Sequence, residues 1–248
     1  MIKANLYKNA PIVEAIFDIK VDQTEITDVT KFEALKGTLL REYPLSNKRV
    51  NFQGKIELNT KENQVHSSGN TNVLGYVFSN PAGSRKIQLR TDGFSCNYLK
   101  PYTNWKDFSD EAFKYWDIYK TFSKPSVITR VALRFINRIE LPLDNGNLMF
   151  EDYLNSVPKI PNSLPQIFNR FFVQMQIPCD NKNSEAIISQ TFEDSITNYL
   201  PFIIDVDVFN QKLFVADKDL NEEFNNLRVL KNKIFESLIT DKTRELFN

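Results

Sequence analysis

Residues 12–21 read IVEAIFDIKV, and this stretch decides the fold. Alternate positions from 13 to 21 carry only apolar side chains, whereas Glu14, Asp18 and Lys20 lie between them together with Ile16. Alternation with a period of two is typical of a strand with one buried face and one solvent-facing face. The stretch therefore predicts a strand in a sheet that is covered on one side.

The segments that follow predict a helix, an antiparallel meander and a second helix. Apolar residues recur at helical spacing over 28–40, ahead of Pro44. Strands are predicted at 49–59, 73–80, 85–92 and 94–100, with a polar loop at 62–72 and turns at 80–84 and at Asp92-Gly93. A helix over 108–123, with Ser109 as its N-cap and Pro125 beyond its end, closes the first half.

The same order of elements recurs in the second half. A long strand is predicted at 127–141, a helical turn at 149–154 and further strands at 168–178, 185–194 and 202–215. A final helix spans 220–238, with Asp219 and Glu222 spaced as a capping box, and Thr240 caps a short helix that ends at Phe247.

These elements predict an α+β fold. We expect a curved antiparallel sheet with helices on one face, built from two β-α-β(3–4)-α halves, residues 1–124 and 125–248, in one compact unit. By analogy, two such halves resemble the saddle of TATA-box-binding proteins. Because one fold hosts many functions, the analogy predicts shape and not activity.

The composition is that of a charge-balanced globular protein. The chain has 248 residues, 42% of them hydrophobic, and 31 basic residues against 31 acidic ones. Balanced charge removes the simplest argument for non-specific binding to nucleic acid or to a membrane. No apolar run reaches 18 residues and the first 20 residues lack the apolar core of a signal peptide. Cys96 and Cys179 lie singly in apolar segments, which predicts reduced thiols in a cytoplasmic protein.

An arginine row is the sharpest local feature. In a strand, Arg130, Arg134 and Arg138 lie on one face, about 13 Å apart at a rise of 3.3 Å per residue. Lys86 and Arg90 share a face of the hairpin at 85–100 and extend the basic surface. Such a surface is a candidate site for phosphates of nucleic acid or for carboxylates of a protein partner.

The alternative is that these arginines pair within the protein. Glu14 and Asp18 project from one face of the first strand and are the chief candidates for structural ion pairs. The equal numbers of acidic and basic residues favour this alternative.

Residues with catalytic potential do not form a familiar constellation. Glu14 with Asp18, and Asp205 with Asp207, share strand faces and have the ligand chemistry of Mg²⁺, but neither pair stands in a D-(E/D)-x-K pattern. His66 is the single histidine and lies in the predicted polar loop. The chain carries neither G-x-G-x-x-G nor a phosphate-binding P-loop motif. We predict no catalytic residue, no metal site and no cofactor.

One aromatic run invites a further interpretation. Residues 168–176 read FNRFFVQMQ, and aromatic rings with Arg170 are suited to stacking on the bases of single-stranded nucleic acid. Core packing is the simpler interpretation in a chain with 20 phenylalanines.

Four separated motifs resemble one protein family. They are NAPIVEAIFDI at 9–19, DGF at 92–94, RFINRI at 134–139 and EDYL at 151–154. In this order, over nearly the whole chain, they resemble a sporadically distributed, uncharacterised family of prokaryotic proteins of similar length. The resemblance implies a toxin–antitoxin or anti-phage accessory role, and it implies no catalytic residues.

Three interpretations follow. The leading one is a non-enzymatic cytoplasmic interaction protein whose curved sheet binds a protein partner, such as a toxin or a defence effector, and which self-associates. The second is nucleic-acid binding through Arg130, Arg134 and Arg138 with Lys86 and Arg90. The third is a metal-dependent hydrolase or nuclease that uses one of the carboxylate pairs.

Overall fold

A computed structural model describes residues 7–22, 24–59, 64–179, 183–215 and 218–248. Within these ranges the chain forms one open antiparallel sheet with helices, so the predicted α+β class is confirmed. The strands are β1 (Ile12–Asp22), β2 (Leu45–Asn59), β3 (Gln64–Ser79), β4 (Arg85–Arg90), β5 (Gly93–Leu99), β6 (Val127–Pro142), β7 (Phe172–Pro178), β8 (Ser184–Phe192), β9 (Tyr199–Asn210) and β10 (Phe214–Val215). The helices are α1 (Lys36–Leu39), α2 (Trp105–Ser123), α3 (Phe150–Tyr153), α4 (Asn221–Leu238) and α5 (Asp241–Glu245), and a 3-10 helix spans Val29–Leu35.

The strand order places β1 and β6 at the centre. The order is β2-β3-β4-β5-β1-β6-β9-β8-β7, and β10 pairs with the start of β6. Phe17 lies opposite Leu133 in the central antiparallel pair. From the centre outward, β1 is followed by β5 and β4, and β6 is followed by β9 and β8. The internal duplication and the boundary after residue 124 stay predictions.

Phe17 is the centre of the core. Ala15, Phe17 and Ile19 are fully buried, which confirms the alternation expected of β1. The Phe17 ring stacks on Phe224 of α4 at 3.6 Å between centroids and meets Phe113 of α2 edge-on at 5.1 Å. Both long helices therefore cover the same face of the sheet. Burying a side chain of this size contributes about 1.5–3 kcal/mol.

Helix starts differ from expectation at two places. Helix α2 begins earlier than predicted, because the Asn104 side chain accepts the Asp107 N–H at 2.9 Å and so supplies the cap. Ser109 is no cap but a buried residue inside the helix, where its hydroxyl donates to the Lys106 carbonyl. The helix predicted over 28–40 is present, but the segment Val29–Leu35 is a 3-10 helix.

One of the two other predicted N-caps, those of α4 and α5, is present in the structure. Asp219 accepts the N–H of Asn221 at 2.9 Å, but Leu220 is the N-cap of α4, so no capping box forms. Thr240 accepts the Thr243 N–H at 3.4 Å, which confirms it as the cap of α5.

The loop predicted at 62–72 is wrong from residue 64 onward. Strand β3 begins at Gln64 and pairs with β2 along its length, with His66 opposite Glu57. Polar composition does not prevent a strand whose backbone groups are paired with a neighbour. Residues 62 and 63 lie outside the described ranges.

The β4–β5 hairpin turns one residue earlier than predicted. Arg90 pairs with Gly93, so Thr91 and Asp92 are the two loop residues. Gly93 begins β5 beside β1, where a Cβ atom would lie 2.3 Å from the Ile19 carbonyl oxygen. The glycine is therefore required by the close approach of two backbones.

Glu111 connects α2 to three other segments. Its carboxylate accepts hydrogen bonds from Tyr43 Oη at 2.6 Å, from Arg85 Nη1 at 2.9 Å and from Tyr98 Oη. The Glu111 side chain is only 12% exposed. Burial, and then the bond to Glu111, raises the pKa of Tyr98, so the phenol stays a donor.

Glu111→Ala should lower the free energy of unfolding by about 2–4 kcal/mol, because it leaves two phenols and a guanidinium without their acceptor. Urea denaturation measures the change. Asp110→Ala is the matched control, because Asp110 is exposed and its one ion pair within the described ranges is with Lys106 on the same helix. That variant should stay within about 0.5 kcal/mol of the parent protein. Equal losses in both variants would contradict the role of Glu111.

Candidate functional site

The predicted site residues lie on the face of the sheet that is turned away from α2 and α4, which we call the open face. Residues of β1 that alternate with the buried core side chains project there, and the register places Lys20 opposite Arg130. The open face carries Glu14 and Asp18 of β1, Lys86 and Arg90 of β4, Arg130, Arg134 and Arg138 of β6, and Asp205 and Asp207 of β9. Acidic and basic side chains thus alternate across neighbouring strands.

A chain of four charges crosses the centre of the open face. Asp18 accepts from Arg90 Nη2 at 2.9 Å and from Arg130 Nη1 at 3.4 Å, and Arg130 Nη2 also donates to Asp207 at 2.8 Å. The four side chains are only 12–20% exposed. Arg90 reaches across β5, where it donates to Ser95 Oγ at 2.9 Å. The chain of charges therefore links β4, β1, β6 and β9.

The other two arginines of the row are also paired. Arg134 Nε lies 2.8 Å from Asp205 Oδ1, and this bond raises the pKa of the guanidinium. Arg138 Nε lies 3.1 Å from Glu193 Oε2, and its Nη1 contacts Glu140. Arg134 is the most exposed of the three arginines, at 44% of its side chain.

Lys86 and Glu14 differ from the arginines. Lys86 is half-buried on β4 and forms no ion pair with any described residue. Glu14 accepts the Asn97 side-chain amide at 2.8 Å and lies in no ion pair of the described chain. Of the two acids that the sequence offered as partners, Asp18 is the one in contact with arginines.

Most arginines of the open face are engaged in ion pairs within the protein, which leaves them less available to a ligand. Arg90, Arg130, Arg134 and Arg138 already donate to carboxylates, so an anion that binds to them must displace an internal acceptor. Partner or anion binding by these arginines stays a prediction, and their contacts with Asp18, Asp205, Asp207 and Glu193 are the structural observation.

Asp207 is the least satisfied group on the open face. Its Oδ1 is buried without a hydrogen-bond partner among the described residues. Burial raises the pKa of Asp207, and the neighbouring Arg130 guanidinium opposes that rise. The carboxylate is therefore kept ionised chiefly by Arg130.

The other candidate residues of the sequence are the possible metal ligands, the two cysteines and His66. Among the described residues no group of three His, Cys, Asp or Glu side chains is placed to hold a metal ion. Cys96 is buried and Cys179 is half-buried, and neither forms a disulfide bond within the described chain. Burial raises the pKa of Cys96, which keeps that thiol protonated. His66 lies in β3, and its side chain is outside the described structure.

The aromatic run at 168–176 is divided between the core and the surface. Phe168 and Phe171 pack around Phe150 of α3, with centroids at 6.2 and 5.9 Å. Phe172 is 65% exposed at the start of β7, and Arg170 pairs with Asp194 in solvent. Two rings of the run are thus used in packing.

The free edge of β7 is a feature that the sequence pattern did not reveal. Among the described residues, β7 is the last strand of the sheet and pairs on one side only, with β8. Its seven residues, FVQMQIP, contain no charged side chain. Strand order decides which strand is an edge, and the order follows from long-range pairing that periodicity does not encode. An uncharged edge exposes unpaired backbone groups to another chain.

Comparison with known proteins finds no match among protein-family models, curated proteins or solved structures. In the described ranges, no helix has both the length and the apolar character needed to cross a membrane.

Arg130→Met should destabilise the protein by about 2–4 kcal/mol, because it removes the cation shared by Asp18 and Asp207. Arg170→Met is the matched control, since the Arg170–Asp194 pair is 77% and 86% exposed, and its loss should stay below about 1 kcal/mol. Urea denaturation measures both variants.

The Arg130→Met deficit should also shrink as the pH falls. Without Arg130 the folded-state pKa of Asp207 lies still further above its unfolded value of 3.8, so the native state binds more protons than the unfolded state in that window. Stability of the variant therefore rises as the pH drops through the folded pKa of Asp207. A deficit that is independent of pH would show that Asp207 does not depend on Arg130.

Proposed function

We propose that this chain is an interaction protein that assembles through the free edge of β7, and that a second copy of the chain occupies this edge. The observation that carries the proposal is an exposed, uncharged edge strand whose side-chain pattern is complementary to itself. Natural sheets usually protect their edges with lysines, bulges or covering segments, and the described part of β7 has no charged residue.

The direction of the backbone groups supports pairing at this edge. The Cys179 N–H donates to the Ser184 carbonyl at 2.9 Å, so odd-numbered positions of the strand point their backbone groups at β8. Even-numbered positions then point theirs away from the sheet. Gln174 and Gln176 each offer an N–H and a carbonyl to an added strand, and Phe172 lies at the open end.

An antiparallel copy fits this strand when the twofold axis passes through Met175. Val173 of one copy then faces Ile177 of the other, and Met175 faces its own equivalent, so apolar side chains meet on the helix side of the sheet. On the open face, Gln174 of one copy faces Gln176 of the other. A twofold contact of this kind is isologous and closes after two copies, which is the commonest symmetry of soluble oligomers.

The cysteines and the family resemblance support a location and a cellular role for the protein. Two cysteines that form no disulfide within the described chain support a cytoplasmic location, where disulfides are rare. The resemblance favours a toxin–antitoxin or anti-phage accessory role, in which the dimer presents two open faces to a protein partner. We propose this role without an assigned activity.

Gln174→Pro should convert the dimer to a monomer, as measured by size-exclusion chromatography with light scattering. Proline removes the outward N–H of Gln174, and its ring fills the space of an added strand, while the odd-numbered ladder to β8 is kept. Gln174→Thr is the matched control, because it removes the same side chain and keeps the N–H, and it should stay dimeric. Thermal unfolding verifies that both variants are folded.

Charged substitutions at Met175, which lies on the proposed twofold axis, give a second test of this strand pairing. Met175→Lys and Met175→Glu should each be monomeric alone, since like charges would face each other across the axis, and an equimolar mixture should form a heterodimer. A parent protein that stays monomeric across the concentration range would overturn the proposal, as would a Gln174→Pro variant that remains dimeric.

A further inference from the structure

A cleft of about 580 Å³ lies where the end of β6 meets α4. Its walls come from five segments that are distant in sequence, residues 7–12, 100–105, 135–140, 228–236 and 246–247. Aromatic side chains line much of it, among them Tyr102, Trp105 and Phe135. The volume is within the range of small-molecule sites, which runs from about 300 to 1,000 Å³.

Lys231 is the unusual residue of this cleft. It lies on the buried side of α4 and is only 8% exposed, with Nζ 3.8 Å from the centroid of the Phe135 ring. Within the described chain it forms no ion pair and no hydrogen bond. Burial, and then the charge of Arg228, lowers the pKa of Lys231 to about 7. A buried amine without an acceptor costs stability, so packing alone does not account for it.

Three more cations line the same cleft without an acidic partner among the described residues. Arg228 lies over the Trp105 ring at 5.3 Å, and Lys8 and Lys100 are exposed at the rim. The local excess of positive charge contrasts with the zero net charge of the whole chain.

The acids that line the cleft are already engaged. Glu236 accepts from Tyr7 Oη at 2.8 Å and from Arg244 Nε at 2.9 Å. Glu140 contacts Arg138. Both carboxylates are thus bonded to cations other than Lys231 and Arg228, and the charge of Glu236 partly opposes the fall in the pKa of Lys231.

We propose that this cleft binds a small phosphate-bearing molecule, with Lys231 and Arg228 as phosphate ligands, Lys8 and Lys100 at the entrance and the aromatic walls against its organic part. Four unpaired cations favour a phosphate group over a single carboxylate, because a phosphate ester carries about two negative charges at neutral pH. Lysine and arginine are also the side chains that bind phosphate best in proteins.

Lys231→Met should weaken the binding of AMP at least tenfold, measured by isothermal titration calorimetry. Lys233→Met is the matched control, since Lys233 is exposed on the same helix, does not line the cleft and changes the net charge equally. It should bind AMP as the parent protein does. Lys231→Met should remain folded, because it replaces a buried cation by an apolar side chain of similar length.

The pH dependence of AMP affinity tests whether the Lys231 amine binds the phosphate. AMP affinity should fall as the pH rises from about 7 to 9, because Lys231 loses its proton in the empty cleft while the phosphate is already a dianion. Lys231→Arg should abolish this fall, since arginine stays charged. The other ionisable groups that face the cleft are Arg228 and Glu236 of α4, Arg138 and Glu140 of β6, and Tyr7, Lys8, Lys100 and Tyr102.

Inorganic phosphate and ribose 5-phosphate, titrated in parallel, separate recognition of the phosphate from recognition of the sugar and the base. Malonate supplies a dianion without phosphorus. Binding of any of the three phosphate compounds that is lost with Lys231→Met and kept with Lys233→Met supports the proposal. Absence of binding by all three, equal binding by the two methionine variants, or malonate binding as tight as that of AMP would overturn it.

Discussion

The contact between the central strand and the two long helices is the constraint on which the structure depends. Phe17 lies between Phe224 of α4 and Phe113 of α2, and its strand occupies the centre of the sheet. Because side chains alternate along a strand, seating Phe17 and Ile19 in the core turns Asp18 and Lys20 to the opposite face. A shift by one residue would bury the charges and expose the rings.

The same constraint explains the charges of the open face. A carboxylate at the centre of a wide sheet is shielded by neighbouring side chains on both sides, so Asp18 retains only 17% of its exposure. Such a group needs a partner, which Arg130 supplies from the adjacent strand β6 and Arg90 supplies from β4 by reaching across β5. Arg130 and Arg134 thus neutralise acids that the alternation of β1 and β9 places on the open face.

Period-two patterns predict most strands of this chain, and with them the face on which the arginines of β6 lie, but they miss the first part of β3. These patterns do not contain strand order, so they predict Glu14 and Asp18 as the chief partners of the arginines, whereas the structure also pairs Arg130 with Asp207 and Arg134 with Asp205 of β9. Local caps were misassigned where a stronger one stood nearby, as Asn104 does ahead of Ser109. The sequence also contains a sign that Lys231 is buried, because it shares one helical stripe with apolar residues. The members of this stripe that are buried in α4 include Phe224, Leu227, Lys231 and Ile234. An apolar stripe broken by a lysine is a pattern that sequence reasoning can find.

Lys231 differs from the paired arginines of the open face in whether a carboxylate of the protein contacts the cation. Arg90, Arg130, Arg134 and Arg138 each meet a carboxylate, and these pairs need nothing from outside the protein. Lys231 meets an aromatic ring and another cation, and the Glu236 carboxylate, which favours the charged amine, is already bonded to Tyr7 and Arg244. Arg138 and Glu140 belong to both places, because they end the arginine row on β6 and also line the cleft. A phosphate in the cleft would compete with Glu140 for Arg138, so occupancy of the cleft and the charge balance at this end of the open face are linked through one ion pair.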